Sequence, residues 1–185
     1  MKNKKTANTE KPVWFITGCS TGFGRELATQ ALERGFRTVV TARKPDEVEA
    51  LAARGEALVL KLDVTDQGQI NAAIKATEKK FGGIDVLVNN AGIGYFAAIE
   101  EGEEKEVRRM FEINVFGMSR MIQAALPGMR QRRKGCIINV SSLADRPAQS
   151  VRKPLGSTIM TLMPSGSTSC QSASDKPSTA NFVAL

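Results

Sequence analysis

Residues 13–24 read VWFITGCSTGFG, and this stretch decides the fold. The apolar run at 13–17 is typical of a strand that is buried on both faces. A glycine-rich turn follows it, and a helical pattern then runs from residue 25 to 34 and ends at Gly35, a residue suited to a left-handed helix cap. A strand, a tight turn and a helix in this order predict the first unit of a parallel α/β sheet.

The same alternation continues to about residue 141. We predict four more strands, at 38–41, 57–62, 85–89 and 136–140. The predicted helices between them run from Pro45 to Gly55, from Asp66 as cap to Phe81, and from about 103 to 129. The expected fold class is therefore α/β, a Rossmann-type doubly wound parallel sheet that is truncated after about the fifth strand.

Periodicity stops after about residue 150, which divides the chain into three parts. Residues 1–12 are expected to be a flexible basic arm, residues 13–150 a Rossmann-type α/β domain, and residues 151–185 an irregular tail. The tail is rich in serine and threonine without sustained strand or helix spacing, so its composition predicts low complexity and disorder.

The net charge of +7 raises the question of an acidic partner. Its densest cluster is Arg130, Arg132, Arg133 and Lys134, at the predicted end of a helix, where cations meet the helix dipole favourably. We therefore predict no nucleic-acid partner. Apolar runs are far shorter than the roughly 20 residues that cross a bilayer, and no apolar signal region follows the first lysines, so we predict no membrane span and a cytoplasmic location.

The three cysteines do not suggest a metal site or a disulfide framework. The chain has no histidine and no CxxC pair, so no metal is expected and the thiols are expected to be reduced. Cys19 lies inside the glycine-rich turn, where a thiol of lowered pKa is one interpretation and a space-filling side chain is the favoured one.

The glycine-rich turn is suited to holding a dinucleotide pyrophosphate. Glycines allow the backbone to approach a phosphate closely, and the following helix offers free N–H groups and its dipole. The predicted cofactor-binding residues of this turn are Gly18, Ser20, Thr21, Gly22, Phe23 and Gly24. A purely structural glycine turn is the alternative.

Four motifs occur in an order that resembles the short-chain dehydrogenase/reductase family. They are GxxxGxG at 18–24, NNAG at 89–92, Asn114 within the long helical pattern, and INVSS at 138–142. The resemblance extends over about residues 13–149 and is strongest to retinol and hydroxysteroid dehydrogenase-like members. It implies hydride transfer between a nicotinamide cofactor and a small-molecule carbonyl or alcohol.

The resemblance and the second strand together suggest which cofactor is used. Arg43 stands where an acidic residue would bind the ribose of NAD, so it could pair with the 2′-phosphate of NADP. NAD is the second choice of cofactor. The alternative without a cofactor is that Arg43 is a solvated surface residue. Asp63 and Val64 match the family's pair beside adenine, although a plain helix-capping turn would also use Asp63. Asn90, Ala91 and Gly92 match its cofactor-lining turn, which an ordinary turn could equally contain.

Two catalytic positions follow from the same resemblance. Ser142 matches the serine that orients the carbonyl, and Asn114 matches the asparagine that supports the proton relay. Taken without the resemblance, Ser142 would be a turn or cap residue and Asn114 a buried, hydrogen-bonded asparagine.

The family's catalytic tyrosine and lysine have no counterpart where YxxxK should begin. That region reads SVRKPLGSTIM at 150–160, and Tyr95, after NNAG, is the only tyrosine in the sequence. The expected function is an NADP-dependent oxidoreductase by family; the alternative is a catalytically inactive nucleotide-binding fragment or truncation product, of the kind that a frameshift or altered splice would give. A truncated core should also expose the apolar face of the long helix, which leaves an oligomer open.

Overall fold

The computed structural model describes residues 11–141. Its five strands are β1 (Val13–Ile16), β2 (Arg37–Ala42), β3 (Ala57–Lys61), β4 (Val86–Asn89) and β5 (Cys136–Asn139). Its α-helices are α1 (Gly22–Glu33), α2 (Gln67–Phe81), α3 (Glu104–Phe111) and α4 (Met118–Arg132). The predicted arm up to residue 10 and the predicted tail lie outside the described residues.

The five strands form one parallel sheet in the order β3-β2-β1-β4-β5. The chain moves outward from β1 to β3 and then crosses to the other side of β1 to form β4. The direction of winding therefore reverses between β1 and β4. Doubly wound sheets bind their ligands beyond the carboxyl ends of the strands at this point, and the predicted fold class is confirmed.

Both faces of the sheet are buried, which explains the continuous apolar runs. Phe15 and Leu87 lie fully buried in the layer that contains α2 and α4. Ile16 and Val88 lie fully buried in the layer that contains α1. Neighbouring residues of a strand point to opposite faces, so each strand contributes to both layers.

Helix α2 begins and ends as its sequence predicts. The Asp66 carboxylate accepts a hydrogen bond from the backbone N–H of Gln69 at 3.0 Å, and this bond holds the pKa of Asp66 below its ordinary value. At the other end Gly82 adopts φ +81°, the left-handed conformation that glycine allows readily.

The prediction of one helix from Pro45 to Gly55 is wrong. The chain forms two short 3₁₀ helices instead, Pro45–Glu47 and Glu49–Arg54. The carbonyl of Glu47 accepts a hydrogen bond from Arg25, and the N–H of Leu51 bonds to the carbonyl of Val48. The α-helical bond between Glu47 and Leu51 is therefore replaced.

The long predicted helix is also interrupted. A π-helical segment, Glu112–Gly117, lies between α3 and α4, and α4 continues to Arg132, beyond the predicted end. Arg133 caps it in the left-handed region, with φ 52°. The basic cluster thus stands at a helix end, as predicted. Within residues 11–141, no helix has both the length and the apolar character needed to cross a membrane.

Candidate nucleotide-binding site

A cavity of about 1240 Å³ lies at the carboxyl ends of the strands, where the winding reverses. Most of the predicted cofactor-binding residues line it. They are Gly18, Ser20, Thr21, Phe23, Gly24, Arg43, Asp63, Val64, Asn90, Ala91 and Gly92. Gly22 and Asn114 are not part of the lining, and Ser142 lies outside the described residues.

The glycine-rich turn packs too tightly for side chains at two positions. A Cβ on Gly18 would lie 2.9 Å from the Cα of Ala91, and Gly18 also adopts φ +71°. A Cβ on Gly24 would overlap the carbonyl oxygen of Gly18 and the side-chain amide of Asn90. The turn therefore presses directly against the NNAG turn and leaves the backbone facing the cavity.

Helix α1 begins at this turn without the usual protection of a helix end. Thr21 is its N-cap, but its side chain makes no capping hydrogen bond, and the first turn contains no acidic residue. The first N–H groups of an α-helix have no partner inside the helix. These donors and the positive end of the dipole are therefore available to an anion. Helix α2 differs, because Asp66 caps it.

Asn90 holds the two turns together. Its side-chain amide donates to the carbonyls of Thr17 at 3.0 Å and Gly18 at 2.9 Å. The Thr17 hydroxyl in turn accepts from the backbone N–H groups of Asn90 and Ala91, both at 2.9 Å. Asn90 is thus a brace between β1 and β4, and its cofactor contact stays a prediction.

The segment after β3 contains Asp63 and Val64, which the family resemblance places beside adenine, and it lines one side of the cavity. Asp63 Oδ1 accepts from the backbone N–H and the hydroxyl of Thr65, at 2.9 and 2.7 Å. The helix cap itself is Asp66, so the plain capping alternative for Asp63 does not hold. Val64 is buried beside Gly117, where a Cβ would lie 2.7 Å from Val64 Cγ2.

Arg43 stands at the rim of the cavity, directly after β2. It is exposed, and no salt bridge joins it to a carboxylate within residues 11–141. A guanidinium with this freedom can reach an anionic group on a bound ligand.

Asn114 connects the π-helical segment to the NNAG turn. Its Oδ1 accepts from the backbone N–H of Ile93 at 2.9 Å, and its Nδ2 donates to the carbonyl of Ile93 at 2.8 Å. Asn114 is half-buried, and both ends of its amide are hydrogen-bonded, as the alternative of a satisfied asparagine expects. A contribution to proton transfer stays a prediction.

The strand that leads to Ser142 is held beside the NNAG turn. Asn89 and Asn139 face each other across β4 and β5, and the Asn89 amide donates to the Asn139 side chain at 2.9 Å. The N–H of Val140 then bonds to the carbonyl of Asn89 at 2.9 Å. Ser141, the last described residue, therefore follows a strand that pairs with β4 as far as Asn89, the first residue of NNAG.

One wall of the cavity was not predicted. Lys105, Arg109 and Ile113 line it from α3 and the π-helical segment, each four residues from the next. Such spacing places side chains on one face of a helix. This spacing is present in the sequence, but the helical pattern was traced through other residues of the same segment.

The side chains of Cys19 and Tyr95 are both hydrogen-bonded to the backbone. Cys19 is fully buried, its thiol donates to the carbonyl of Ile16, and burial raises its pKa to about 12. The favoured space-filling interpretation agrees with this, and the lowered pKa is wrong. The Tyr95 hydroxyl accepts from the backbone N–H of Glu103 at 2.9 Å, at the start of α3.

Comparison of the sequence and the structure with known proteins identifies the family of this chain. The family model for the short chain dehydrogenases matches residues 12–153. The chain belongs to the short-chain dehydrogenase family. This confirms the resemblance on which the site residues were chosen.

Individual relatives agree with this family membership. The chain is 39% identical over 137 residues to Oxidoreductase BOA17 of Botryotinia fuckeliana, covering 72% of this chain and 50% of that protein. A short-chain dehydrogenase structure from Streptomyces avermitilis is similar with a TM-score of 0.67 and 41% identity, covering 71% of this chain and 49% of that one. A metagenomic short-chain oxidoreductase in complex with NADP matches with a TM-score of 0.67 and 33% identity, covering 74% and 65%.

The chain spans about half the length of the curated relatives it matches. The family match includes almost all of the described α/β part, which contains the cavity. The chain thus has the fold with which the short-chain dehydrogenase family binds a nucleotide cofactor.

Proposed function

We propose that residues 11–141 bind NADP(H), and that the chain is the nucleotide-binding half of an NADP-dependent oxidoreductase acting on a carbonyl or alcohol. One observation carries this proposal. The uncapped start of α1 faces a cavity lined by Gly18 and Gly24, which have no room for side chains. Backbone donors, a helix dipole and close backbone approach fit a pyrophosphate.

The preference for NADP over NAD is based on Arg43. It lines the cavity after β2, and the described residues provide it with no salt bridge that a ligand would have to displace. A 2′-phosphate would give it a charge-assisted contact that NAD does not offer. The similar metagenomic oxidoreductase whose structure contains NADP supports this choice.

Other residues would hold the remaining parts of the cofactor. Gly18, Ser20, Thr21, Gly22, Phe23 and Gly24 would surround the pyrophosphate, and Asp63 with Val64 would border adenine. Asn90, Ala91 and Gly92 would border the path towards nicotinamide. The side-chain hydrogen bonds of Asp63 within residues 11–141 use Oδ1, which leaves Oδ2 for an exocyclic amine.

The chemistry would depend on a few side chains. When bound, the nicotinamide supplies or accepts a hydride. Ser142 would orient the substrate carbonyl by donating a hydrogen bond, and Asn114 would keep the π-helical segment and Ile93 in place beside it. A small-molecule substrate and a cytoplasmic location are part of the same proposal.

A second function, nucleotide binding without turnover, is favoured by the position of Tyr95. Its hydroxyl accepts a hydrogen bond at the start of α3, and the sequence has no other tyrosine. Loss of a general acid/base reduces rates by roughly 10² to 10⁴. Measured turnover of NADPH with ketones, aldehydes and retinoids distinguishes the two functions.

The binding proposal is tested by thermal unfolding with NADPH, with NADH and without nucleotide. A ligand that binds only the folded state raises Tm, and we expect a larger increase with NADPH. Arg43→Gln should weaken NADPH binding by about 10- to 100-fold and leave NADH almost unchanged, since a hydrogen bond between charged groups is lost.

Lys44→Gln is the matched control, because it removes the neighbouring exposed cation, which does not line the cavity. If neither nucleotide raises Tm, the binding proposal is wrong. If both raise it equally and Arg43→Gln has no effect, only the preference for NADP is wrong.

A further inference from the structure

The edge of the sheet opposite the cavity carries an excess of positive charge. In a parallel sheet all strands begin at one edge, and the connecting helices end there. Six exposed cations lie at this edge, and we call them the basic edge: Lys11, Arg34, Lys79, Lys80, Arg133 and Lys134. The cavity lies about 15–20 Å away, one strand length across the sheet.

Contacts connect these residues into one surface. Lys11 Nζ donates to the carbonyl of Arg34 at 2.8 Å. Lys80 Nζ donates to the carbonyl of Ala57 at 2.8 Å and lies 5.1 Å from the ring centre of Phe81. Lys134 is 3.2 Å from Asp85, whose other oxygen accepts from the N–H of Val13 beside Lys11.

Helix dipoles account for only part of this charge. They explain Arg34, Lys79, Lys80 and Arg133, which stand at the ends of α1, α2 and α4. Lys11 Nζ also meets the negative end of α1, through the Arg34 carbonyl. The half-buried Arg37, at the start of β2, and Lys134, which pairs with Asp85, are not explained in this way. The described acidic residues nearby are Glu33, Glu56, Glu78 and Asp85, and two of them already pair, with Arg54 and Lys134.

The opposite end of the molecule carries a cluster of glutamates, of which Glu104 and Glu106 pair with Arg108 and Arg109. Five glutamates stand at or before the start of α3, at 100, 101, 103, 104 and 106. Helix α3 begins beyond the carboxyl ends of the strands and leads back through α4 to the basic edge. The described part of the chain is therefore polarised along the strand direction, and this would orient it in front of an anionic surface.

We propose that the basic edge docks on a membrane surface rich in anionic lipid headgroups, with the cavity facing away from it. The cations come from separate elements along a sheet edge, and no single helix or strand pair of the described chain projects from them into a DNA groove. The ammonium groups of Lys11 and Lys80 donate to backbone carbonyls, so these two act through their field rather than through directed phosphate contacts. Such a field suits the diffuse charge of a bilayer.

The test is sedimentation of the full chain with vesicles of phosphatidylcholine alone or with about 30% phosphatidylserine. We expect binding only to the anionic vesicles at about 0.05 M salt, and its loss near 0.5 M, where the screening length is only a few ångströms. Lys79→Gln with Lys80→Gln should lower the partition coefficient about 30-fold.

The matched control is Lys44→Gln with Lys61→Gln, which removes the same charge from exposed residues at the other edge of the sheet. It should lower binding less than threefold, and circular dichroism checks that both variants fold. Equal losses in the two variants would overturn the proposal, since net charge alone would then explain binding. Tighter binding to a 20-base-pair DNA duplex than to anionic vesicles at equal salt would overturn it as well.

Discussion

Gly24 shows how strictly one residue can constrain the site. A Cβ there would overlap the carbonyl of Gly18 and the amide of Asn90, the side chain that braces β1 against β4. We expect Gly24→Ala to lower the free energy of unfolding by about 3 kcal/mol, since overpacking and displaced hydrogen bonds both contribute. Urea unfolding measures the change.

Gly22 provides the control for this prediction. It also adopts a left-handed conformation, with φ +58°, but a Cβ there would have no neighbour within 4 Å. Gly22→Ala should therefore cost only the backbone strain of about 1 kcal/mol. Equal losses in the two variants would show that crowding at Gly24 is not the cause.

Cys19 predicts a loss of stability at alkaline pH. Burial raises the pKa of its thiol from the ordinary value of 9.0 to about 12, so above pH 9 the unfolded chain releases a proton that the folded chain keeps. Unfolding is then favoured as pH rises. The Cys19 thiol should lower the free energy of unfolding by about 1 kcal/mol between pH 9 and pH 10.

The measurement compares wild type with Cys19→Ala by urea unfolding at both pH values. Between pH 9 and pH 10, the free energy of unfolding should fall by about 1 kcal/mol less in the variant than in wild type, whatever the stability of the variant at pH 7. Parallel pH profiles for the two proteins would rule out the proposed role of the buried thiol.

At the residue scale, sequence identifies motif positions better than it identifies their contacts. Gly18, Asn90 and Asp66 were recognisable because the type of residue and its place beside a strand or helix end limit what each can do. The partner of Asn114 was not recognisable. It depends on where the chain after NNAG passes the long helix, and no local pattern encodes that path.

Among the elements, the interrupted helix from Glu104 to Arg132 has the clearest consequence for the site. The π-helical segment brings Asn114 against Ile93, and the Asn114 amide makes both of its hydrogen bonds there. Asn114→Ala would leave the two backbone groups of Ile93 without these partners. We expect a stability loss of about 2 kcal/mol and faster exchange of the Ile93 amide hydrogen by up to about 30-fold.

Hydrogen exchange read by nuclear magnetic resonance tests this, with Gln123→Ala as the control on the exposed face of α4. The control should leave Ile93 unchanged. Unaltered exchange at Ile93 in Asn114→Ala would mean that other contacts hold the NNAG turn.

The ends of helices were predictable where a capping residue type marks them in the sequence. They were not predictable where contacts with distant parts of the chain determine them. Asp66 and Gly82 mark both ends of α2 in the sequence. By contrast, the 3₁₀ segments after Pro45 depend on Arg25, which is 22 residues from Glu47 along the chain. The π-helical segment escapes detection because the apolar pattern was matched to a period of 3.6 residues throughout.

At the scale of the whole molecule, the expected exposed apolar face is present in the described chain. Val107, Phe111 and Val115 are 37%, 49% and 42% exposed, and their spacing of four places them along one stripe of α3 and the π-helical segment. The doubly wound topology was predictable because alternating strands and helices admit few arrangements. The extent of this stripe was not, since it depends on what packs beside it.

An apolar stripe of this kind should promote association between chains, because burying it removes apolar surface from water. We expect the apparent mass in sedimentation velocity to rise with protein concentration, and Phe111→Gln with Val115→Gln to reduce that rise. Phe96→Gln with Ile99→Gln is the control, since these side chains are even more exposed but lie in the loop before α3. If the two double variants reduce association equally, exposed apolar area in general drives it and the stripe has no special part.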